Sequence, residues 1–304
     1  MLFGDRIWLP GNFLWSDFDE DDTPSLVFVV PLAVVIVAVR FCVEKFCFVP
    51  IGRYLLVRRN RKNKVRAYPK QKEAGIRARK HKSTILKKFC ESGWRFTYYS
   101  LIFGFGCLTL WDKAWLWDID ECWRRFPFEP RTLDIYWYYS ISLSFYCALF
   151  VTQFFDVKRK DFWQMFVHHV ATISLLTMSW CCRAHTIGTL ILLLHDFSDI
   201  FLEAYKITKY SGFNKIAFAC FVILSISWIV TRVFIFPIWI IKSAVFDYLE
   251  HHEPYPGWAI MNGFLILLYL LHIMWAYFIV KLFYRMAKSR EVVDDIRSES
   301  EDSD

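Results

Sequence analysis

The residues best able to do chemistry fall between Phe162 and Tyr210, in the stretch FWQMFVHHVATISLLTMSWCCRAHTIGTLILLLHDFSDIFLEAYKITKY. It holds two apolar segments, each long enough to cross a bilayer, joined by a short linker around Arg183 to Thr186. The first segment carries His168 and His169, and the second carries His195, Asp196, Asp199, Glu203 and Lys206. An ionisable group at membrane depth costs roughly 2.5–3.5 kcal/mol on insertion scales, so a cluster of them implies a function. Imidazoles beside carboxylates in a membrane cavity suit proton abstraction or nucleophilic attack.

Spacing decides whether these groups can meet. At about 1.5 Å rise per residue, His168 lies roughly 9 Å inside its segment, and Asp199 roughly 10 Å before the basic end near Lys206. The segments run antiparallel, so both groups approach one level from the same side. His195 and Asp199 are spaced i,i+4, and Asp196 and Asp199 i,i+3, which puts them on one helix face. A plainer reading has these groups merely locking two helices together by hydrogen bonds. Five ionisable groups at matched depth are too costly for that role alone.

The elements that position them follow from composition. Of 304 residues, 56% are hydrophobic and 19% aromatic, with a mean hydropathy of +0.28. This is a membrane-protein composition, and the apolar runs predict an all-α polytopic fold with about seven spans: 25–48, 96–112, 133–155, 162–181, 186–206, 214–242 and 258–284. The first is too long and too hydrophobic for a signal-peptide core and follows an acidic stretch, so it reads as a retained helix. The nine cysteines show no CxxC pair and no metal-ligand spacing, so neither a disulfide framework nor a bound metal is expected.

Loop charge sets the orientation. Residues 1–24 are acidic (Asp17, Asp19, Glu20, Asp21, Asp22), whereas 49–95 form a basic interval from Arg53 through Arg58, Arg59, Arg61 and Lys62 to Lys87 and Lys88. Loops rich in Lys and Arg stay cytosolic, which leaves the N-terminus lumenal. The acid-rich 112–134 loop then falls in the lumen, Lys158-Arg159-Lys160 in the cytosol, Asp247, Glu250 and Glu253 in the lumen, and Lys281, Arg285 and Lys288 in the cytosol. Every loop agrees, so the number of spans is odd. The basic interval suits anionic headgroups at about 1 kcal/mol per charge, and no nucleic-acid partner is expected. Residues 287–304 read as an acidic, serine-containing cytosolic tail. Arg232 lies in mid-span, where pairing with an acid or binding an anion is expected, and Pro237 should kink that helix. His272 and Trp275 lie on the last span.

The opening stretch resembles the ceramide synthases, the acyltransferase branch of the TLC-domain family. The residues that carry this are His168-His169, Ser179-Trp180, Gly188, His195-Asp196-Phe197-Ser198-Asp199, Leu202-Glu203 and Lys206, with Tyr210 at the end. KKFCESGWRFTYY (Lys87–Tyr99), NGFLILLYLLHIMWAYFI (Asn262–Ile279) and the acidic serine tail extend the resemblance. There are departures: Cys182-Arg183 and Thr186 stand where relatives usually carry an Asn and an Arg, the 49–95 interval is too short for the homeobox-like domain of many members, and no N-x-Ser/Thr sequon occurs.

The resemblance implies a TLC catalytic domain over 96–286, with six of the seven helices forming a barrel around an intramembrane cavity in the endoplasmic reticulum membrane. It implies transfer of an acyl group from fatty acyl-CoA to the amine of a sphingoid base, with no cofactor, and allows a homo- or heterodimer. His168, His169, His195, Asp196 and Asp199 would be catalytic. Ser198, Glu203, Lys206, Arg232 and Trp275 would bind substrate. The loop between the last two helices would influence acyl length. Two rivals remain. A di-iron His-box enzyme needs about eight histidines in HxxxH and HxxHH patterns near a membrane face, whereas the histidine pairs here are isolated and His251-His252 fall on the lumenal side. A non-enzymatic TLC-type lipid carrier or seven-helix receptor would lack the full His-Asp-x-Ser-Asp, Leu-Glu and Lys set. Protease treatment of sealed microsomes is expected to spare an N-terminal tag and remove a C-terminal one; both tags on one side would mean an even number of spans.

Overall fold

The computed structural model describes residues 5–11, 13–18, 26–64 and 72–289. Asp19 to Asp22, residues 65–71 of the basic interval, and the tail from 290 lie outside the described residues. Among the described residues the secondary structure is helical, without strands. The long helices are α1 (26–64), α2 (Lys72–Leu110), α3 (Leu133–Thr152), α4 (Phe162–Cys181), α5 (His185–Ser211), α6 (214–251) and α7 (Pro256–Ser289).

Three of these are long and apolar enough by themselves to cross a membrane: Leu26–Arg58, Asn214–His251 and Pro256–Lys288. Their outward residues are largely apolar. Val30, Val34, Val35, Val39 and Phe41 of α1, and Ile238 and Trp239 of α6, are exposed. An apolar face of that extent needs lipid to cover it. Polar residues turn inward instead: Ser140, Ser142 and Ser144 of α3 are buried, and the Ser144 hydroxyl donates to the Val29 carbonyl at 3.0 Å. Interhelical hydrogen bonds and small residues replace the hydrophobic effect as the cohesive terms between membrane helices.

Local chemistry fixes the ends of the helices around the site. The α4–α5 turn is only Cys182 to Ala184, with Arg183 in the left-handed region at φ 62. Arg183 is held there by a bond from Nε to the Pro127 carbonyl at 2.7 Å and by the Phe18 ring 4.4 Å from its guanidinium carbon. Helix α5 ends at Gly212, whose φ of 80 suits a residue without a side chain. In α6, Pro237 cannot donate to the helical ladder, and Ile229–Ile241 takes π-helical geometry. That widened stretch carries Arg232.

The basic interval expected as a loop over 49–95 is helical through Val49–Lys64 and again from Lys72. Charge decides on which side of the membrane a segment stays. It does not prevent helix formation, because Lys and Arg are good helix formers. Helix α2 packs on α3 and α5, α6 on α5 and α7, and α4 on α3 and α7, while α1 lies against α3.

Gly188 lets α5 approach α3. A Cβ there would collide with the hydroxyl of Tyr139, which hydrogen-bonds Ser179 Oγ of α4 at 2.5 Å. Gly188→Val should therefore lower stability by about 1–3 kcal/mol, the usual cost of overpacking. Gly188→Ala should cost less. Thermal unfolding of the purified protein checks this, and an unchanged midpoint for both variants would contradict the close approach.

Candidate active site

Arg232 is the structural centre of the site. It is buried at 2% exposure, and most of its donors are answered by α5. Nε donates to Ser198 Oγ at 2.9 Å, and Nη2 donates to the His195 carbonyl at 3.0 Å and pairs with Asp199 Oδ1 at 2.9 Å. Its face lies on Trp228 at 4.2 Å. A buried charge left without such partners would cost several kcal/mol. Ser198, Asp199 and the carbonyl of His195 thus form one receptor for one side chain.

His195 and His272 make the next contact. His195 Nδ1 lies 2.7 Å from the Ile191 carbonyl, which can only accept, so Nδ1 carries a proton. His195 Nε2 stands 3.1 Å from His272 Nε2, and one of the two must donate. Trp228 Nε1 donates to the His272 carbonyl at 3.3 Å. The pair bridges α5 and α7 behind Arg232.

His168 stands between two cavities. The first, of about 70 Å³, is apolar, walled by Leu175, Leu176, Ile191 and Leu265 and floored by the rings of Trp123, Tyr248, Tyr255 and Trp258. The second, of about 140 Å³, is lined by Arg95, Asp156, Lys158, Arg159, Glu203, Lys206 and Lys209 among others. Among the described residues, only His168 and Tyr146 line both. The His168 ring packs edge-on against Trp275 with centroids 5.4 Å apart, and its Nδ1 has no hydrogen-bond partner. The floor is held by Trp123 Nε1 donating to Ser243 Oγ at 2.8 Å. Outside the spans, Asp120 accepts from His251 Nε2 at 2.9 Å, and that hydrogen bond holds the Asp120 carboxyl below its usual range.

The expected site residues separate on this geometry. His168, His169, Asp199, Glu203, Lys206, Arg232 and Trp275 all line the polar cavity, and His195 lines the apolar one. His169 Nδ1 meets Gln153 Oε1 at 3.2 Å, and Lys206 pairs with Glu203 at 2.6 Å. Asp196 and Ser198 are buried and line neither cavity. The Asp199 carboxylate, expected beside His168, pairs with Arg232, since a buried guanidinium attracts a carboxylate strongly. Among the described residues, no three His, Cys, Asp or Glu side chains converge on a point that could hold a metal ion. Sequence reading missed Tyr146, Gln153, Arg95 and Asp156 as cavity walls. It noted His272 without assigning it a role, although an ionisable residue at membrane depth is a signal by itself.

Known proteins resemble this chain in sequence. Residues 88–281 match the TLC domain, which defines the class: a multi-pass membrane protein whose helices surround the site above. The chain is 36% identical to human ceramide synthase 5 over all of this chain and 88% of that protein. It is 33% identical to human ceramide synthase 4, covering 99% of this chain and 86% of the relative, and 36% identical to ceramide synthase hyl-1 of Caenorhabditis elegans, covering 96% and 82%. The chain belongs to the ceramide synthase family of TLC-domain proteins.

Arg232→Gln should leave Asp199 buried and unpaired, at a cost of about 3–5 kcal/mol. The double variant Arg232→Gln/Asp199→Asn should recover most of that stability without recovering activity. Thermal unfolding and acyl-transfer assays on the same preparations check both. Equal stability of the single and double variants would mean that the pair is not coupled.

Proposed function

We propose that this N-acyltransferase moves a fatty acyl group from acyl-CoA to the amine of a sphingoid base, yielding a (dihydro)ceramide and free CoA, with His168 at the reacting centre. The observation that carries this reading is the position of His168 between an apolar cavity and a cationic one. An acyl thioester has that same division: an alkyl chain on one side of the carbonyl and a phosphorylated carrier on the other. With the alkyl chain against Leu175, Leu176 and Leu265, and the carrier toward Arg95, Lys158 and Arg159, the thioester carbonyl falls beside His168.

The chemistry follows from what the two reactants need. An alkyl amine is mostly ammonium at neutral pH and cannot attack until a base removes its proton. Neutral His168 attacks the thioester carbonyl, the C–S bond breaks, and CoA leaves as a thiolate that takes up a proton. The amine then attacks the acyl-imidazole, its N–H proton passes to a base in the site, and the imidazole is released. A thioester is already activated, so the aminolysis needs no metal and no redox cofactor. His169 and Gln153 hold the neighbouring wall, and Arg232 with Asp199 fixes α6 against α5 beside the reacting centre.

The same proposal includes the setting. Seven spans put the N-terminus in the lumen and the C-terminal tail in the cytosol of the endoplasmic reticulum membrane. The pairwise packing of α2 with α3 and α5, α6 with α5 and α7, and α4 with α3 and α7 closes a six-membered ring, which supports a barrel. The chain divides into the acidic segment 1–24, the first helix 25–48, the basic interval 49–95, the catalytic domain 96–286 and the tail 287–304.

His168→Ala is expected to abolish acyl transfer while leaving the thermal midpoint close to that of the parent. Parent protein incubated with acyl-CoA and no amine should gain the mass of one acyl chain at His168 by peptide mass spectrometry. Loss of activity without any trapped adduct would leave His168 as a general base. Unchanged activity per folded molecule would remove it from the reaction.

A further inference from the structure

Arg40 lies on α1, outside the 88–281 stretch that matches the TLC domain, yet it is joined to the polar cavity. It is 4% exposed in a helix whose neighbouring apolar residues mostly face outward. Nε pairs with Glu44 Oε1 at 2.7 Å, and Nη2 pairs with Asp156 Oδ1 at 2.5 Å. The other oxygen of the same carboxylate, Asp156 Oδ2, pairs with Arg95 Nη2 at 2.7 Å. Asp156 and Arg95 both line the polar cavity; Arg40 does not. One carboxylate is therefore shared by a guanidinium behind the wall and a guanidinium in the wall. Nearby bonds hold the same loop to α2: Lys87 Nζ donates to the Phe155 carbonyl at 2.6 Å, and the Val157 amide donates to Glu91 Oε1 at 3.1 Å.

We propose that Arg40 is a positioning residue for the thioester's anionic carrier: by holding one oxygen of Asp156, it keeps Arg95 from closing on both and leaves Arg95 donors for phosphate. Arg95 alone against Asp156 could close on both carboxylate oxygens as a fork, with its donors turned away from any anion. With Arg40, itself balanced by Glu44, holding Oδ1, Arg95 meets only Oδ2 of Asp156, and its other donors stay available to an anion in the cavity beside Lys158 and Arg159. The first helix thereby takes part in substrate recognition without touching substrate. This inference rests on the acyl-CoA reading above.

The test compares two thioesters of one fatty acid on the full-length protein: the CoA ester, and the N-acetylcysteamine ester, which lacks every phosphate. Arg40→Gln is expected to raise the KM for acyl-CoA by about tenfold, the effect of losing roughly one charge contact, with kcat within about twofold. The KM for the N-acetylcysteamine ester should stay unchanged. Arg40→Lys, which keeps the charge but cannot fork to both acids, should fall between parent and Arg40→Gln. It also carries the test if Arg40→Gln does not fold. Arg40→Gln/Asp156→Asn frees Arg95 and should return the acyl-CoA KM toward the parent value. Equal loss with both esters, or no loss with either, would overturn the inference while leaving the enzyme reading intact. Absence of transfer from either ester by the parent protein would sink both.

Discussion

A guanidinium buried between membrane helices must find all its partners inside the protein, and in this chain that demand is made by Arg232. Ser198, Asp199 and the carbonyl of His195 meet it from α5, and Trp228 covers its face. The consequence is positional. The π-helical stretch of α6 cannot slide along α5 without leaving a charge unpaired, which the low-dielectric interior penalises by several kcal/mol. His195 is held by the same contact, and through His272 the last helix is tied to it. The ionisable groups of the His-Asp-x-Ser-Asp motif are thus partly structural, serving as the counter-surface for an arginine that comes from elsewhere in the chain.

That division of labour bears on the reacting role proposed for His168. Asp199 is committed to Arg232, His195 to Ile191 and His272, and His169 faces Gln153. His168 alone among the motif histidines keeps a buried ring nitrogen without a partner. It also stands where the surroundings change from leucine and isoleucine walls to lysine and arginine. A substrate with one greasy and one polyanionic half would be aligned by that change of surroundings before any bond is made, and alignment is a large part of what a site can contribute to rate.

The helix outside the family domain is linked to the same place. Asp156 sits in the short loop between α3 and α4 and receives arginines from α1 and α2. Long-range pairs of this kind are costly to make in a membrane, so their presence at the mouth of the polar cavity ties the fold's outermost helix to its most charged wall.

Much of this was legible in the chain itself. Apolar run lengths marked the long helices, since a bilayer admits only backbone that satisfies its own hydrogen bonds. The spans read at 133–155 and 162–181 lie within a few residues of Leu133–Thr152 and Phe162–Cys181. The i,i+4 and i,i+3 spacings put His195, Asp196 and Asp199 on one helix, and Arg232 invited an acidic partner. Which acid, and therefore which histidine stayed unpaired, was decided only by the tertiary structure. Pairing depends on how far α6 unwinds around Pro237 and on the depth at which α7 sets His272, and neither is a property of one helix. The basic interval shows the same limit: its charge indicated a side of the membrane, while its helical course and the reach of Arg40 to Asp156 came from contacts between segments far apart in sequence. Hydropathy and spacing are local and can be read along one chain, whereas a salt bridge between helices exists only once both are packed.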